Sequence, residues 1–264
     1  LFMFLRTEPV RFDGMLPGLK RWWTRSLGRA DAGLDAIETW AAQAGMRYRR
    51  DEGGLRFVIE APSAGQTMRM EWGPTQRSYI AGDELRIRLD LNLPGALQVL
   101  AMTRPLMQRL EHQTFERDTQ EAQTIIDMSH PEEMRWLAMF PKIDLSFDKL
   151  LQLRFGVLGV NTVLAMAWIN GSLGEQLAKA TQNLLASEEP FVLMALRGKM
   201  YLRLQLAQPS PESLSQCLTV FDAAVQSALQ LTGQMSPDGG DWSATAGSSW
   251  LVHSALDDPN HGPR

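Results

Sequence analysis

The sequence predicts an α+β fold: a central antiparallel β-sheet, built as a meander of about five or six strands plus a C-terminal hairpin, with helices packed on one face. Three observations predict it. The run Glu84-Leu85-Arg86-Ile87-Arg88-Leu89-Asp90-Leu91-Asn92 alternates charged or polar with apolar residues without a break, the period of a strand with one dry and one wet face. Weaker copies of that alternation precede it, separated by turns too short for a parallel crossover. Far downstream, Leu214, Cys217, Leu218, Phe221, Ala224 and Val225 recur at helical spacing behind Ser210-Pro211-Glu212, which reads as a capped helix reaching about Leu231.

In chain order, residues 1–30 read as an extension broken by Pro9, Gly14, Pro17 and Gly18. Residues 31–232 read as a single α+β domain with a sub-boundary near 142–160, and 233–264 as a disordered tail rich in Gly, Ser, Asp and Pro. The domain opens on a helix from Asp31 to Ala44, with Leu34, Ile37, Trp40 and Ala41 on one face and Gly45 at its C-cap. Strands follow at 46–50, 55–60 and 68–72, then a short one at 78–80 and the strand at 84–92. Leu97 to Met102 reads as a strand that ends in a cap before Pro105, and Pro105 to about Glu116 as a helix, because proline suits the first helical turn and not the interior. Thr119 to Ile126 is expected as a further strand.

Ser129-His130-Pro131-Glu132-Glu133 supplies a cap, a proline at N1 and acids in the first turn of the next helix, whose inner side is Met134, Leu137, Ala138 and Phe140. The stretch 142–160 supports either helix or strand. Asn161 to about Ala186 is helical with a break at Asn170-Gly171-Ser172, and 191–196 with 199–206 form a hairpin around Arg197-Gly198. The order helix, strands, helix, hairpin, helix resembles small bacterial chaperone-like domains in topology alone, and no family is assigned.

Composition narrows the function. The net charge of -4 argues against a nucleic-acid partner. Five of the 26 basic residues are lysine (20, 142, 149, 179 and 199), a skew toward arginine that points to a GC-rich, bacterial genome. The single cysteine, Cys217, excludes an internal disulfide and a cysteine-based zinc site and fits a cytoplasmic setting. Its place on an apolar helical stripe reads as packing rather than a reactive thiol. No run approaches the ~20 apolar residues of a membrane span. The apolar start Leu1 to Leu5 lacks the basic-then-apolar order of a signal peptide, and the chain opens on Leu rather than Met, so its first residues are read as a misassigned or trimmed start.

The chain shows no Gly-x-Ser-x-Gly elbow, phosphate loop or dinucleotide fingerprint. No catalytic residue, cofactor or metal ligand is assigned. Asp127, His130, Glu132 and Glu133 hold metal-ligand chemistry, yet their order is that of an ordinary helix start. His112 falls near an expected helix end, where a cation suits the dipole. The segment 18–29 carries four positive charges around Trp22-Trp23, and Lys20, Arg21, Trp22, Trp23 and Arg25 are its candidate contacts with a partner or an anionic membrane. Arg56, Arg69, Arg86 and Arg88 form a positive stripe if their strands are neighbours in register. The alternating acids Glu60, Glu71, Glu84 and Asp90 favour a neutralised, solvated face instead.

These observations lead to a non-enzymatic protein-binding adaptor or chaperone-like module. The alternatives are a peripheral inner-membrane protein attached through 18–29 and an enzyme whose site assembles only in three dimensions. Fourteen methionines suit an adaptable binding surface, although most stand at core positions. Oligomeric state is left open.

Overall fold

A computed structural model of the chain describes residues 33–51, 56–120, 132–186 and 189–234. The expected turn at 52–54, the basic Trp segment, Asp127, His130 and the tail from 235 lie outside the described residues. Within them, seven helices and eight strands form one mixed α+β unit, so the expected class holds, with a larger sheet than anticipated.

Helix α1 spans 33–43 and turns at Gly45, whose φ of 68° is the left-handed value that a glycine C-cap supplies. A meander follows: β1 (Arg47–Arg50), β2 (Phe57–Ser63), β3 (Gln66–Pro74) and β4 (Asp83–Asp90). The β2–β3 turn, Ala64-Gly65, has positive φ at both residues, the geometry that matches the twist of paired strands. Then come β5 (Val99–Thr103), α2 (Arg104–Gln120), α3 (Glu132–Met139), α4 (Lys149–Arg154) and β6 (Phe155–Gly159). The chain closes with α5 (Thr162–Ile169), α6 (Ser172–Ala180), the hairpin β7 (Phe191–Leu196) and β8 (Lys199–Gln205), and α7 (Pro211–Gln234). Ser210 and Ser213 cap α7 reciprocally, each hydroxyl accepting from the other's amide N–H at 3.1 and 2.9 Å.

All eight strands join one antiparallel sheet in the order β1-β2-β3-β4-β8-β7-β5-β6. The C-terminal hairpin therefore inserts between β4 and β5, which follow each other in the chain. The connection 91–98 passes around the hairpin turn, where Gly198 O accepts from the amides of Leu91 and Leu93 at 2.9 and 3.2 Å.

One register row shows the dry face. Tyr48, Ile59, Met70, Ile87, Leu202, Leu193, Ala101 and Val157 stand side by side across the eight strands. Helices α1, α5, α6 and α7 contribute to the main core on this side, and the fully buried Trp168 of α5 donates its indole N–H to Ala224 O of α7 at 3.1 Å. The adjacent row faces the other way and splits in two. It reads Arg47, Glu60, Arg69, Arg88 and Tyr201, then Met194, Leu100 and Leu158. The apolar part is covered by α2 and α3 through Leu106, Met107, Leu110, Met134 and Trp136.

Several expectations need correction. Helices pack on both faces, because β5, β6 and β7 are buried on both sides and need a second apolar cover. Residues 78–80 are loop rather than strand, since Tyr79 and Ile80 both tuck under that second cover instead of alternating. Thr119 and Gln120 end α2 instead of starting a strand, which puts His112 in mid-helix. Ala138 is exposed and Trp136 takes the inner position. Helix α7 continues through Gly233. The ambiguous 142–160 supplies α4 and β6. Seven methionines, Met68, Met70, Met102, Met107, Met134, Met194 and Met200, are core residues.

The β6–α5 corner is tight. A Cβ on Gly159 would stand 2.6 Å from Ala165 Cβ, whereas one on Gly95 meets nothing within 4 Å. Gly159→Ala is expected to lower unfolding stability in urea by about 1–3 kcal/mol, and Gly95→Ala to change it by less than ~0.5 kcal/mol.

Candidate binding face

The half of the second face that no described helix covers spans β1 to β4 and β8. Its cations are Arg47, Arg49, Arg69, Arg86, Arg88, Lys199 and Arg203, with Arg56 lying across Gly73 as an eighth. Its carboxylates are Glu60, Glu71, Glu84 and Asp90, half that number. The register thus brings the predicted arginines onto one side of neighbouring strands and answers how far they are neutralised.

Glu60 takes Arg49 at 2.9 Å, Arg69 at 3.4 Å and Arg47 at 3.8 Å. Glu71 takes Arg69 and, at 3.3 Å, Arg86. Glu84 is fully buried; it holds Arg203 at 2.6 Å and Arg86 at 3.4 Å, and accepts the Gln76 amide at 2.9 Å. Asp90 meets Lys199 at 3.5 Å. Six of the eight cations are served in this way. Arg56 and Arg88, both exposed, form no ion pair among the described residues. The neutralised face expected from the sequence is therefore incomplete at two of its four predicted arginines.

Electrostatics follow the geometry. Partial burial pushes the Glu71 carboxyl up, but Arg69, by hydrogen bond and charge, together with Arg86 and Arg88, outweighs that and holds its pKa below the ordinary value. Tyr201, opposite Arg88 at the border with the dry half, is raised by burial against the opposing pull of Arg88. Beyond that border the buried Glu133 accepts the Tyr79 hydroxyl at 2.8 Å and Arg77 Nε at 3.3 Å, tying the 75–82 loop to α3. Burial, then Glu133, raises Tyr79 well above its usual range.

Glu132 pairs with Arg135 at 3.3 Å and Arg197 at 3.9 Å, so the two described members of the considered metal group engage separate partners. Among the described residues no three His, Cys, Asp or Glu converge on a metal-sized site. Cys217 is buried and its thiol is pushed up to about 12 by desolvation, in line with packing.

Two further surface features stand apart from the charged face. A groove of about 310 Å³ runs between α7 and the β2–β3 end, lined by Met46, Ala61, Pro62, Met68, Leu218 and Phe221, with Asp222 as its ionisable group. The exposed large hydrophobics among the described residues, Met139, Phe147, Leu150, Leu153, Val160 and Val163, all fall between 139 and 163, around the β6 edge. No helix among the described residues is long and apolar enough to cross a membrane. Comparison of the chain with protein-family models, curated proteins and solved structures finds no match.

Alternation signalled which residues share the wet face. It carried no sign that Glu84 and Arg203 would be buried there, because the β4–β8 pairing is set by partners 119 residues apart in the chain.

Glu84→Gln removes the countercharge from a buried guanidinium and is expected to cost about 3–5 kcal/mol in urea unfolding. Glu60→Gln, whose partners are largely exposed, is expected to cost at most ~1 kcal/mol. Glu71 has a lower pKa folded than unfolded, so its contribution is present above the ordinary carboxyl value of 4.5 and is lost as pH falls through the folded value. Glu71→Gln should therefore flatten the decline of stability below about pH 4.5 in acid titrations of the unfolding midpoint, while leaving the neutral-to-alkaline limb unchanged in shape.

Proposed function

We propose that this protein is a non-enzymatic binding module, an adaptor or chaperone-like unit, whose partner is another protein held against the open half of the sheet. A bacterial, cytoplasmic setting belongs to the same proposal, from the arginine skew and the single cysteine.

The observation that carries it is the split register row. Five strands present a charged face, exposed at Arg88 and Lys199 and closed at the Glu84–Arg203 end by the 75–82 loop, beside three whose same face is packed under α2 and α3. At ~4.8 Å between strands and ~3.4 Å per residue, the five strands measure roughly 20 by 25 Å, an upper bound on the open area. That is about 500 Å², below the ~800 Å² each partner contributes to a standard interface. The area suits a segment of a partner better than a whole folded domain.

The test uses the full chain as bait in lysate of the source organism, beside the variant Arg56→Glu/Arg88→Glu. Both arginines are exposed and unpaired among the described residues, so the variant should keep the wild-type unfolding midpoint within ~0.5 kcal/mol. The expected result is a stoichiometric protein partner retained by wild type and lost by the variant. An empty capture, a lipid-only capture, or a partner the variant retains would overturn the reading.

A further inference from the structure

We infer that the segment bound on the open face is rich in carboxylates and that Arg88 is its anchoring cation. This rests on the protein-binding reading above and names the chemistry of the partner.

The first argument is charge distribution. The face carries four positive charges in surplus on a chain of net charge -4, so the remainder of the chain is net -8. A basic face on a chain whose other residues sum to a negative charge orients an acidic partner toward that face.

The second is local. In register, Arg69 stands opposite Arg88 and Arg86 opposite Arg203. Like charges directly opposed across strands are unfavourable. The Arg86–Arg203 pair shares the buried Glu84, which relieves it. Arg69 has Glu60 and Glu71. Arg88 has neither, although its positive charge already reaches Glu71 and Tyr201. A carboxylate placed between Arg88 and Arg69 would supply the missing countercharge. The exposed guanidinium offers it two parallel N–H donors.

The third separates a polypeptide from other anions. Glu60, Glu71 and Asp90 are interspersed among the cations at neighbouring strand positions. A nucleic-acid backbone or an anionic bilayer presents negative charge uniformly and meets those carboxylates as well as the arginines. A polypeptide can space its carboxylates to meet Arg88 and Arg56 and place neutral side chains over Glu60, Glu71 and the half-buried Tyr201.

The experiment is fluorescence anisotropy of the full chain with a labelled twelve-residue Glu-Ser repeat peptide. The matching Lys-Ser peptide, a single-stranded oligonucleotide and phosphatidylserine vesicles are run beside it at low and at moderate salt. The expected result is saturable binding of the Glu-Ser peptide alone, weakened several-fold by salt. Arg88→Ala should weaken it about fivefold and Arg88→Glu more than tenfold, with Arg56→Glu as a second variant of smaller effect. No peptide binding, binding indifferent to Arg88, or tighter binding of the oligonucleotide or vesicles overturns the inference. If the peptide fails while lysate capture still depends on Arg56 and Arg88, only the acidic chemistry falls; if both fail, the protein-binding reading falls with it.

Discussion

The pairing of β4 with β8 is the constraint on which the rest of the molecule depends. It is the seam between the N-terminal meander and the other four strands, three of which are packed on both sides. Across it Leu85, Ile87 and Leu89 meet Leu204, Leu202 and Met200 on the dry side, and Glu84 and Arg86 meet Gln205 and Arg203 on the other. The apolar side supplies the free energy: six nearly fully buried side chains, each worth about 1.5–3 kcal/mol of burial. The Glu84–Arg203 pair adds little net stability, since desolvation offsets most of its attraction. Its effect is on register. A two-residue shift that moved Arg203 opposite Arg88 would keep the dry side apolar but take Arg203 away from Glu84, so the pair penalises an error that hydrophobicity alone would tolerate.

That seam joins residues far apart in the chain, and the hairpin lies between β4 and β5, which are consecutive in sequence. Long-range antiparallel pairing of this kind slows folding relative to a simple meander. Until the hairpin arrives, β4 and β5 present unpaired edges with apolar faces. In the folded chain the loop 91–98 passes beside the hairpin turn, and Gly198 closes against it. The permanent edge at β1 is protected differently, being four residues long and carrying Arg47, Arg49 and Arg50.

How much of this was legible in the sequence depends on whether the signal was local. The strands β2, β3 and β4, the β7–β8 hairpin, the break between α5 and α6, and the stripe of α7 all announce themselves through periodicity or turn chemistry within a few residues. The helices on the second face could have been anticipated from a contrast in the same strands. Asp83–Asp90 alternates, whereas Phe191–Leu196 is apolar at every position, and a strand without alternation needs cover on both sides. Strand β6 was obscured by its two glycines. Gly156 and Gly159 look like breakers, but each is small because Met107 and Ala165 occupy the space a Cβ would fill. Of the binding face, the sequence disclosed which arginines share a side. Which of them would keep a carboxylate partner was not local information: Arg86 and Arg88 are two residues apart with the same alternation around them, and only the neighbours across β3 and β8 distinguish them.

The open face is thus a product of the same alternation that stabilises the core. Arg69, Glu71, Arg86 and Arg88 are each paired by register with outward residues on both sides, so their electrostatic state is decided by a row rather than by a single neighbour. Deep in the row the requirement is strict: Arg203 is nearly buried, its countercharge must be present, and Glu84 provides it. Toward solvent the requirement relaxes, because water screens an exposed guanidinium at little cost. Arg88 sits where that relaxation is complete. The fold holds it without an ion pair among the described residues; its charge is mildly unfavourable opposite Arg69 and favourable toward the Glu71 carboxylate. Arg88 thus stands as an exposed cation with no ion pair among the described residues, on the sheet half that no described helix covers.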